Sequence, residues 1–430
     1  MFSIGIDDTD SRYGMCTTYL AYKIIQFLID KNVRVLDYPT LIRLNPNIPW
    51  KTRGNGAVCI RIDTDRYIED IIRLFDKYSH IGKNSNPGLI VYEGEVDDEI
   101  RMFARRALHE LIPRREAYNL AVKHNARIYF KGNGQGLVGA LASIGTLLDD
   151  KDHTFELIAY RYEHNCSKPR VIEKEDVKKM DKATFPYTFN NYDYKHDRVL
   201  ITPHGPDPVF LGIRGEDPNV LLKAFNMLRI DEELEGYMIF KSNQGTNAHL
   251  DFRLGELKPY SSGYIEGIID GKPYSINGGH TFFTVNNIPC AVYEPTGLSK
   301  IAQGLRKGDK VRVGGGVRKA SKNHSRVLNV EYIQVLELAK DIKLINPLCS
   351  CGKRLKSAGK NKGYKCEYCN YKGFKEKEEI IIKRSIKEGL YIPLPKAHRH
   401  LTKPLHRYHI KKNNYNLIEN FIGFDLVIEE

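Results

Sequence analysis

The chain has 430 residues, of which 41% are hydrophobic and 28% are charged, and its formal net charge is +13. These proportions are typical of a globular protein of about three or four domains, and the absence of a run of about 18 apolar residues argues against a membrane span. Acidic residues occur from Asp7 onward, which argues against a signal peptide, so we expect a cytoplasmic protein.

The positive charge is concentrated towards the C-terminus. Between Lys340 and Lys412 there are 20 Lys and Arg residues but only 6 Asp and Glu residues, while the residues before this stretch are nearly balanced. A basic excess confined to one region favours a polyanionic partner, most often a nucleic acid. General basicity of the composition is the alternative, but that excess would be spread along the chain.

A cluster of acidic residues follows the first predicted strand. The segment FSIGI is typical of a short buried strand, and Asp7, Asp8 and Asp10 come directly after it. Carboxylates this close repel one another, and oxygen ligands of this kind suit Mg²⁺. A capped turn is the alternative, since Asp, Ser and Thr all favour turns. Thr17 and Thr18 then precede the segment YLAYKIIQFLIDK, whose apolar spacing predicts a helix.

A glycine-rich loop follows a layer of helices and strands. DRYIEDIIRLFDKYS and DDEIRMFARRALHELI have helical periodicity and flank the strand PGLIVYEG, which indicates an α+β layer. After the strand NARIYF, Gly134, Gly136 and Gly139 form a G-x-G-x-x-G pattern at the start of a helix. Such glycines let the backbone approach phosphate groups.

This glycine pattern has three interpretations. It is compatible with a dinucleotide fold in which Asp149 or Glu156 is the distant acidic residue. It is equally compatible with a tight turn between closely packed elements. Beside a magnesium site, a nucleoside triphosphate such as ATP becomes the better interpretation.

The next predicted elements end in a polar loop. VFLGIRGEDPNVLLKAFNML predicts a strand and a helix, with Asp217 as N-cap and Pro218 at the first helical position. The strand in GYMIFKSNQGTNAHL leads into a loop that suits hydrogen bonding to a small polar ligand or a base, although an ordinary polar loop is the alternative. The candidate ligand-binding residues there are Asn243, Gln244, Gly245, Thr246 and His249.

From about residue 256, short alternating strands rich in Gly and aromatic residues predict a small barrel. About five strands in about 80 residues suit the OB type, and KGDKVRVGG resembles the strand pattern of that family. Any other small β-domain is the alternative. Phe282 and Phe283 are our candidate RNA-binding residues in this barrel.

Four of the eight cysteines predict a zinc ribbon. Cys349-x-Cys351 and Cys366-x-x-Cys369 lie in a short polar stretch, and two such knuckles bring four thiolates into a tetrahedron. The first knuckle is atypical because only one residue separates its cysteines. The other four cysteines are scattered, as expected for packing in a reducing compartment.

Basic residues of the ribbon and of KAHRHLTKPLHRYHIKK are candidates for binding RNA phosphates, with a solvated basic tail as the alternative. The candidates are Lys353, Arg354, His398, Arg399, His400, Lys403 and Arg407.

The main motifs follow one another in the order GIDDTDS…GMCTTYL, NQGTNAHL, the barrel, the ribbon and AHRHLTKPL. In this order the chain resembles the archaeal tRNA(Ile) agmatinylcytidine synthetases, the TiaS family. The resemblance covers nearly the whole chain. It implies that ATP and agmatine are used to modify C2 of the wobble cytidine of the isoleucine tRNA that reads AUA, by way of a phosphorylated C2 oxygen, with AMP as a product.

The resemblance also implies roles for particular residues. Asp7, Asp8 and Asp10 resemble the magnesium and ATP carboxylates of the family, and Thr18 lies where the family has an autophosphorylated threonine. An Asp often occupies the place of Asn247 in the family, so this chain lacks a carboxylate that could contact agmatine at this position.

We therefore predict a multidomain α+β protein with ATP, Mg²⁺ and Zn²⁺ as cofactors, and tRNA(Ile) and agmatine as substrates. The predicted domains are a kinase-like domain at 1–160, a ferredoxin-like α/β domain at 161–255, an OB-fold at 256–338, a zinc ribbon at 339–376 and a basic tRNA-binding extension at 377–430. A non-catalytic RNA-binding protein, or a tRNA-modifying ligase that uses another amine, is the alternative.

Overall fold

The structure is a computed structural model in which residues 1–10, 14–82, 85–149, 151–322, 325–410 and 415–426 are described. The chain folds into two compact units. The first contains Met1–Ile265, Gly314–Glu331 and Ile392–Glu430, and the second contains Glu266–Val313 and Tyr332–Tyr391.

A large sheet forms the centre of the first unit. The strands up to residue 242 are β1 Phe2–Asp7, β2 Thr40–Arg43, β3 Gly56–Ile62, β4 Gly88–Glu93, β5 Arg127–Phe130, β6 Thr154–Arg161, β7 Thr188–Phe189, β8 Tyr192–Asp193, β9 Arg198–Val199, β10 Val209–Gly215 and β11 Leu234–Ser242. Their order in the sheet is β5-β4-β1-β3-β2-β11-β6-β10-β7, and β8 pairs with β9 separately. Neighbours in this order are antiparallel except β2 and β11, which are parallel. One sheet therefore runs through both predicted domains before residue 255.

Helices cover both faces of this sheet. They are α1 Thr17–Asp30, α2 Ile68–Tyr78, α3 Asp98–Ala107, α4 Arg114–Lys123, α5 Leu137–Gly145, α6 Lys174–Thr184 and α7 Pro218–Asn226. Alternate residues of β3 enter different cores: Val58 and Ile60 pack with α1, whereas Ala57 and Cys59 pack with α3 and α5. A strand buried on both faces is expected to have this continuous apolar sequence.

The helix predictions were mostly confirmed. α1 matches the predicted segment, and Asp217 caps α7 by accepting a 2.8 Å hydrogen bond from the N–H of Asn219. α3 ends at Ala107, short of the predicted end. The sequence analysis missed α4, whose N-cap position is occupied by Pro113 rather than by a capping side chain.

The remaining strands form smaller sheets. They are β12 Ser262–Ile268, β13 Tyr274–Ser275, β14 Thr281–Val285, β15 Ile288–Val292, β16 Lys310–Arg318, β17 Val327–Glu337, β18 Ile342–Ile345, β19 Lys356–Ser357, β20 Tyr364–Lys365, β21 Lys372–Gly373, β22 Glu378–Ile381 and β23 Gly389–Tyr391, with helix α8 at Ser299–Gly304. A seven-stranded sheet has the order β12-β16-β17-β15-β14-β13 with β23 beside β17. β19, β20 and β21 form a three-stranded sheet around the clustered cysteines.

The last part of the chain belongs to the first unit. β24, Ile422–Leu426, pairs with β11 as the tenth strand of the large sheet. The predicted extension at 377–430 includes residues 411–414 and 427–430, which lie outside the described residues. The α+β, multidomain class is confirmed. None of the described helices has the length and apolar character needed to cross a membrane.

Candidate active site

Strand β1 leads into two buried carboxylates. Asp7 and Asp8 are only 9% and 7% exposed. Asp8 has a left-handed backbone with a φ of 60°, and its Oδ2 accepts a 2.8 Å hydrogen bond from the N–H of Asn86. This turn places two consecutive carboxylates at the end of one strand.

Burial and repulsion raise the pKa of both carboxyl groups. Burial, and then the charge of Asp8, raise the pKa of Asp7 well above its usual value. Burial raises the pKa of Asp8 to about 7, although the hydrogen bond from Asn86 acts in the opposite direction. A bound divalent cation would lower both pKa values because it supplies the positive charge that this pair needs. The donor set therefore fits a hard cation such as Mg²⁺.

The glycines of the predicted loop bring α5 against these carboxylates. A Cβ atom placed on Gly139 would lie 1.9 Å from Oδ2 of Asp7, and one on Gly136 would lie 2.7 Å from the carbonyl oxygen of Asp7. Gly134, with a φ of 72°, lies in the turn before the helix. The structure thus joins two features that are more than 100 residues apart in the sequence. The contacts give Gly136 and Gly139 a packing role, and phosphate binding by the loop stays a prediction.

The sheet does not support the dinucleotide interpretation of this glycine pattern. A dinucleotide fold requires parallel strands on the two sides of the helix that follows the glycines. The strands that precede and follow α5 in the chain are β5 and β6. These two strands are not neighbours in the sheet, and β5 is antiparallel to β4.

A small cavity of about 50 Å³, the carboxylate cavity, opens beside Asp7 and Asp8. The loop between β2 and β3 covers one side of it, and the start of α5 forms another. Its polar and aromatic lining residues include Asp7, Asp8, Trp50, Lys51, Thr52, Asn55, Glu110 and Gln135.

Asp10 and Thr18 line a different cavity, the Thr18 cavity, of about 440 Å³. Oδ1 of Asp10 accepts a 3.2 Å hydrogen bond from the N–H of Thr17, at the start of α1. In the described part of the chain, ligand atoms of Asp7, Asp8 and Asp10 do not all lie within 4.8 Å of one another. Asp10 therefore lines the cavity of Thr18, while its charge, in addition to burial, still raises the pKa of both Asp7 and Asp8.

Three charged residues, Arg43, Glu156 and Arg214, line the Thr18 cavity together. The sequence analysis did not predict that they form one group. Glu156 lies on β6 and is 3% exposed; its Oε1 accepts a 2.9 Å hydrogen bond from Nε of Arg214, and its Oε2 lies 3.7 Å from Nη2 of Arg43. A charged residue within the buried strand HTFELIAY is a signal that could have indicated this cluster, because unpaired buried charges are costly.

The predicted ligand-binding loop supports these charges from behind. Oδ1 of Asn243 accepts from the N–H of Arg43 at 2.8 Å, and Nδ2 of Asn243 donates to the carbonyl oxygen of Arg43 at 2.9 Å. Gln244 donates to Glu156 through Nε2. The Thr246 hydroxyl donates to the carbonyl oxygen of Asn243 at 2.6 Å. Asn243 and Gln244 are buried, so in this structure their polar groups bind other protein residues.

The C-terminal basic segment pairs with the same loop. The N–H groups of Gly245 and Asn247 donate to the carbonyl oxygens of His400 and Leu401 at 2.8 and 2.7 Å. Nδ1 of His400 lies 2.9 Å from Nη2 of Arg214, and the charge of Arg43, followed by burial, keeps the pKa of His400 well below its usual value. The segment predicted as a separate RNA-binding extension thus contributes His400 to the wall of the Thr18 cavity.

His249 belongs to a chain of polar contacts. Its Nε2 lies 3.0 Å from Oε2 of Glu331, and Oε1 of Glu331 lies 3.1 Å from Nη1 of Arg399. Arg399 also donates to Oδ1 of Asn47 at 3.1 Å. The chain links the polar loop to the loop that covers the carboxylate cavity.

The other predicted RNA-binding residues of this segment make internal contacts. Arg407 is 1% exposed and binds Glu216, the carbonyl oxygen of Gly245 and Asp152. Nζ of Lys403 lies 2.6 Å from Oδ2 of Asp152. Nε2 of His398 lies 2.9 Å from the carbonyl oxygen of Pro393. In this structure, the side chains of these basic residues therefore contact other groups of the protein.

The second unit contains the cysteine cluster. Sγ atoms of Cys349, Cys351, Cys366 and Cys369 all lie within 4.8 Å of one another. The backbone N–H of Cys351 lowers the pKa of Cys349 to about 6, which favours the thiolate that binds metal. Both cysteines of the short first knuckle therefore point to the common centre, and the donor set fits Zn²⁺.

The remaining candidate RNA-binding residues also lie in the second unit. Phe283 is 4% exposed and belongs to the core, whereas the ring of Phe282 stacks on Tyr274 at 5.5 Å. Nη1 of Arg354 lies 2.9 Å from Oε2 of Glu378, and Nζ of Lys353 lies 5.8 Å from the ring centre of Tyr368.

Comparisons with known proteins find relatives along nearly the whole chain. Three family models match the chain: the TiaS TCKD domain at residues 3–65, the TiaS FLD domain at 134–249 and the TiaS C-terminal zinc ribbon domain at 346–386. The isoleucine-tRNA 2-agmatinylcytidine synthetase TiaS of Cenarchaeum symbiosum is 44% identical over 94% of this chain and 92% of its own length.

Solved structures match over a similar extent. The crystal structure of TiaS in complex with its isoleucine tRNA and ATP has 36% sequence identity and a TM-score of 0.84, covering 97% of this chain and 99% of that one. The crystal structure of TiaS in complex with the same tRNA, AMPCPP and agmatine has 33% identity and a TM-score of 0.82 at the same coverage.

Proposed function

This chain belongs to the TiaS family, and from that membership we propose that it is an isoleucine-tRNA 2-agmatinylcytidine synthetase. It uses ATP to join agmatine to C2 of the wobble cytidine, forming agmatidine. The observation that carries the proposal is the full-length match to TiaS proteins solved with isoleucine tRNA, ATP or an analogue, and agmatine. A tRNA substrate favours a cytoplasmic location, as the sequence predicted.

The reaction needs an activated oxygen at C2 of the base. The C2 oxygen of cytosine is a poor leaving group, so it first attacks a phosphorus atom of ATP. A new phosphorus–oxygen bond forms, and the bond from that phosphorus to the rest of ATP breaks with its electron pair on the leaving group. Transfer of the γ-phosphate leaves ADP, so formation of AMP requires that water also cleaves the bond between the α- and β-phosphates, which releases inorganic phosphate. The primary amine of agmatine then attacks C2, the oxygen leaves with its phosphate, and the amine loses a proton. An enzyme that acts on a base inside an RNA structure must extrude it first.

We assign the phosphate-activating end of the site to the carboxylate cavity. Asp7 and Asp8 would hold Mg²⁺, which when bound neutralises phosphate charge in such reactions. Gly134, Gly136 and Gly139 let the start of α5 approach the nucleotide, and the packing of Gly136 and Gly139 against Asp7 supports this position. Lys51, which lines the same cavity, adds a positive charge near the phosphates.

We assign the nucleobase and amine to the Thr18 cavity. At about 440 Å³ it has the size of a small-molecule site. Thr18 is the hydroxyl that resembles the family's autophosphorylated residue, and Asp10 lies beside it. The buried loop at Asn243–Gln244 acts as a support for Arg43 and Glu156, since its side chains bind those two residues.

We further propose that the cysteine cluster binds Zn²⁺ structurally and that the domain types follow the family. The first unit would then combine the kinase-like and ferredoxin-like domains on one sheet, and the seven-stranded sheet would be the OB-fold. These domain names and the predicted boundaries remain proposals.

The direct test is to incubate the protein with ATP, Mg²⁺, agmatine and unmodified isoleucine tRNA, followed by nucleoside mass analysis. We expect a cytidine heavier by agmatine minus water, with AMP formed, only when every component is present. Reactions with putrescine in place of agmatine test whether the guanidinium group is required, because its planar fork of hydrogen-bond donors offers recognition that an ammonium group lacks. Tight tRNA binding without AMP or modified cytidine would favour a non-catalytic RNA-binding protein.

A further inference from the structure

A third cavity in the first unit, the cationic cavity, has a volume of about 480 Å³. Five basic side chains line it: Arg43, Lys51, Arg214, Lys396 and Arg399. The described residues that line it include no Asp or Glu. A concave surface with charges of one sign focuses the electrostatic potential and attracts ions of the opposite sign.

These cations are only partly neutralised by the protein. Glu156 lies behind Arg43 and Arg214, and Glu331 lies behind Arg399. No carboxylate of the described residues lies within 4 Å of the amine of Lys51 or Lys396. Burial, followed by the charge of Arg399, lowers the pKa of Lys51.

One of the guanidinium groups also has an unused donor. Nε of Arg43 is buried and has no hydrogen-bond partner in the described structure. Its backbone is fixed by Asn243, and its Nη1 donates to the carbonyl oxygen of Gly54 at 3.3 Å. A fixed guanidinium with spare donors is suited to phosphate oxygens, which it can bind in a fork geometry.

The cationic cavity lies between the other two. It shares Leu44, Lys51 and Asn55 with the carboxylate cavity. It shares Arg43, Arg214 and His400 with the Thr18 cavity. A nucleotide strand whose base enters the Thr18 cavity would therefore have its backbone beside these cations.

We propose that the cationic cavity binds the RNA phosphodiester groups that flank the extruded wobble nucleotide. This inference rests on the proposed function, because that function supplies the extruded nucleotide. RNA is favoured over the triphosphate of ATP for two reasons. The carboxylates suited to Mg²⁺ line the carboxylate cavity, and the five cations come from three separate parts of the chain, as an extended backbone requires.

The test uses the full-length protein and a fluorescently labelled anticodon stem-loop with cytidine at the wobble position. Lys396→Ala/Arg399→Gln removes two charges, and Lys182→Ala/Lys223→Ala is the matched control because it removes two exposed lysines elsewhere in the first unit. Each phosphate contact contributes about 0.7 to the slope of log Kd against log salt. We expect the first variant to lower this slope by about 1.4 and the control to leave it unchanged. Arg399→Lys should retain the slope.

A second arm replaces the two phosphodiesters around the wobble cytidine by neutral methylphosphonates. We expect the wild type to lose affinity for this RNA and the Lys396→Ala/Arg399→Gln variant to lose much less. Equal losses, or a slope that the variant does not change, would overturn the proposal. A loss of ATP affinity with unchanged RNA binding would instead assign the cavity to the nucleotide. Binding requires no turnover, so a wild type that binds with the expected slope but forms no agmatidine would contradict the proposed function alone.

Discussion

The two chemical centres of this protein are held together in different ways. The four cysteines lie within one short segment, Cys349 to Cys369. Among the described residues their core is small: Leu355 is buried with Cys349 and Cys366, and Tyr364 and Tyr371 pack against them. The carboxylate site combines β1, α5 and the loop after β2, and the adjoining cavities add β6, β10 and the C-terminal segment. A local centre depends on its metal for stability, whereas a distributed centre depends on the fold and on buried charge pairs. Substitutions should therefore have different consequences in the two regions.

The largest effect is expected at the distributed centre. Asp8→Asn removes one carboxylate of the buried pair, and we expect ATP turnover to fall at least about 1000-fold, or about 4 kcal/mol. tRNA binding should remain nearly intact, because the cations that face RNA are unchanged. ATP turnover and tRNA binding are the measurements, and the exposed Asp63→Asn is the control. Full activity of Asp8→Asn would contradict the metal assignment.

The dependence of the distributed centre on buried pairs is tested at Arg407. Arg407→Ala removes the guanidinium group that pairs with the buried Glu216, so the free energy of unfolding should fall by about 3–5 kcal/mol. Thermal and denaturant unfolding measure this change. Arg198→Ala, at an exposed position of the same unit, should change the stability by less than about 1 kcal/mol. A stable Arg407→Ala variant with weakened tRNA binding would instead support the RNA-binding role predicted from the sequence.

The close approach of α5 is tested by a single methyl group. Gly139→Ala places a Cβ atom against Oδ2 of Asp7, and overpacking of this kind costs about 1–3 kcal/mol. We expect ATP turnover to fall about tenfold to 100-fold because the carboxylate must move. Gly271→Ala is the control, since its Cβ would meet nothing within 4 Å. Equal behaviour of the two variants would show that the packing of Gly139 does not matter.

The smallest effect on ATP chemistry is expected at the local centre. Cys366→Ser should release zinc and lower tRNA affinity more than ATP turnover, because the cluster lies outside the unit that carries the carboxylates. Elemental analysis, tRNA binding and ATP turnover are measured together, with Cys166→Ser as the control thiol. Unchanged zinc content would count against the ribbon, and an equal loss of ATP turnover would break the distinction between the two centres.

Local patterns in the sequence predicted local structure well. The spacing of apolar residues predicted α1, and Asp217 before Pro218 predicted the start of α7, because helix periodicity and capping involve neighbouring residues. α4 was missed because its N-cap position lacks a capping side chain and its apolar face is narrow, with only Ala117 and Ala121 buried.

The charged residues show the limit of this approach. The sequence indicates that Arg407, His398 and Lys403 are basic, but it does not indicate whether they face RNA or the protein. That depends on carboxylates and carbonyl groups at positions such as Asp152, Glu216 and Pro393. In the same way, the sequence analysis predicted that Asn243 binds a ligand, whereas in the structure its side-chain amide forms hydrogen bonds with the backbone of Arg43.

The sequence by itself determined the components: the acidic residues after the first strand, the glycines before α5, the spacing of the cysteines and the location of the positive charge. Only the tertiary structure decided how they combine. It placed Asp10 in the lining of the Thr18 cavity and Asp7 and Asp8 in that of the carboxylate cavity, packed α5 against Asp7, and brought Arg43, Glu156 and Arg214 together in the Thr18 cavity. The physical reason is that metal-binding spacing and helix capping act over a few residues, whereas burial and pairing of charges depend on contacts between strands far apart in the chain.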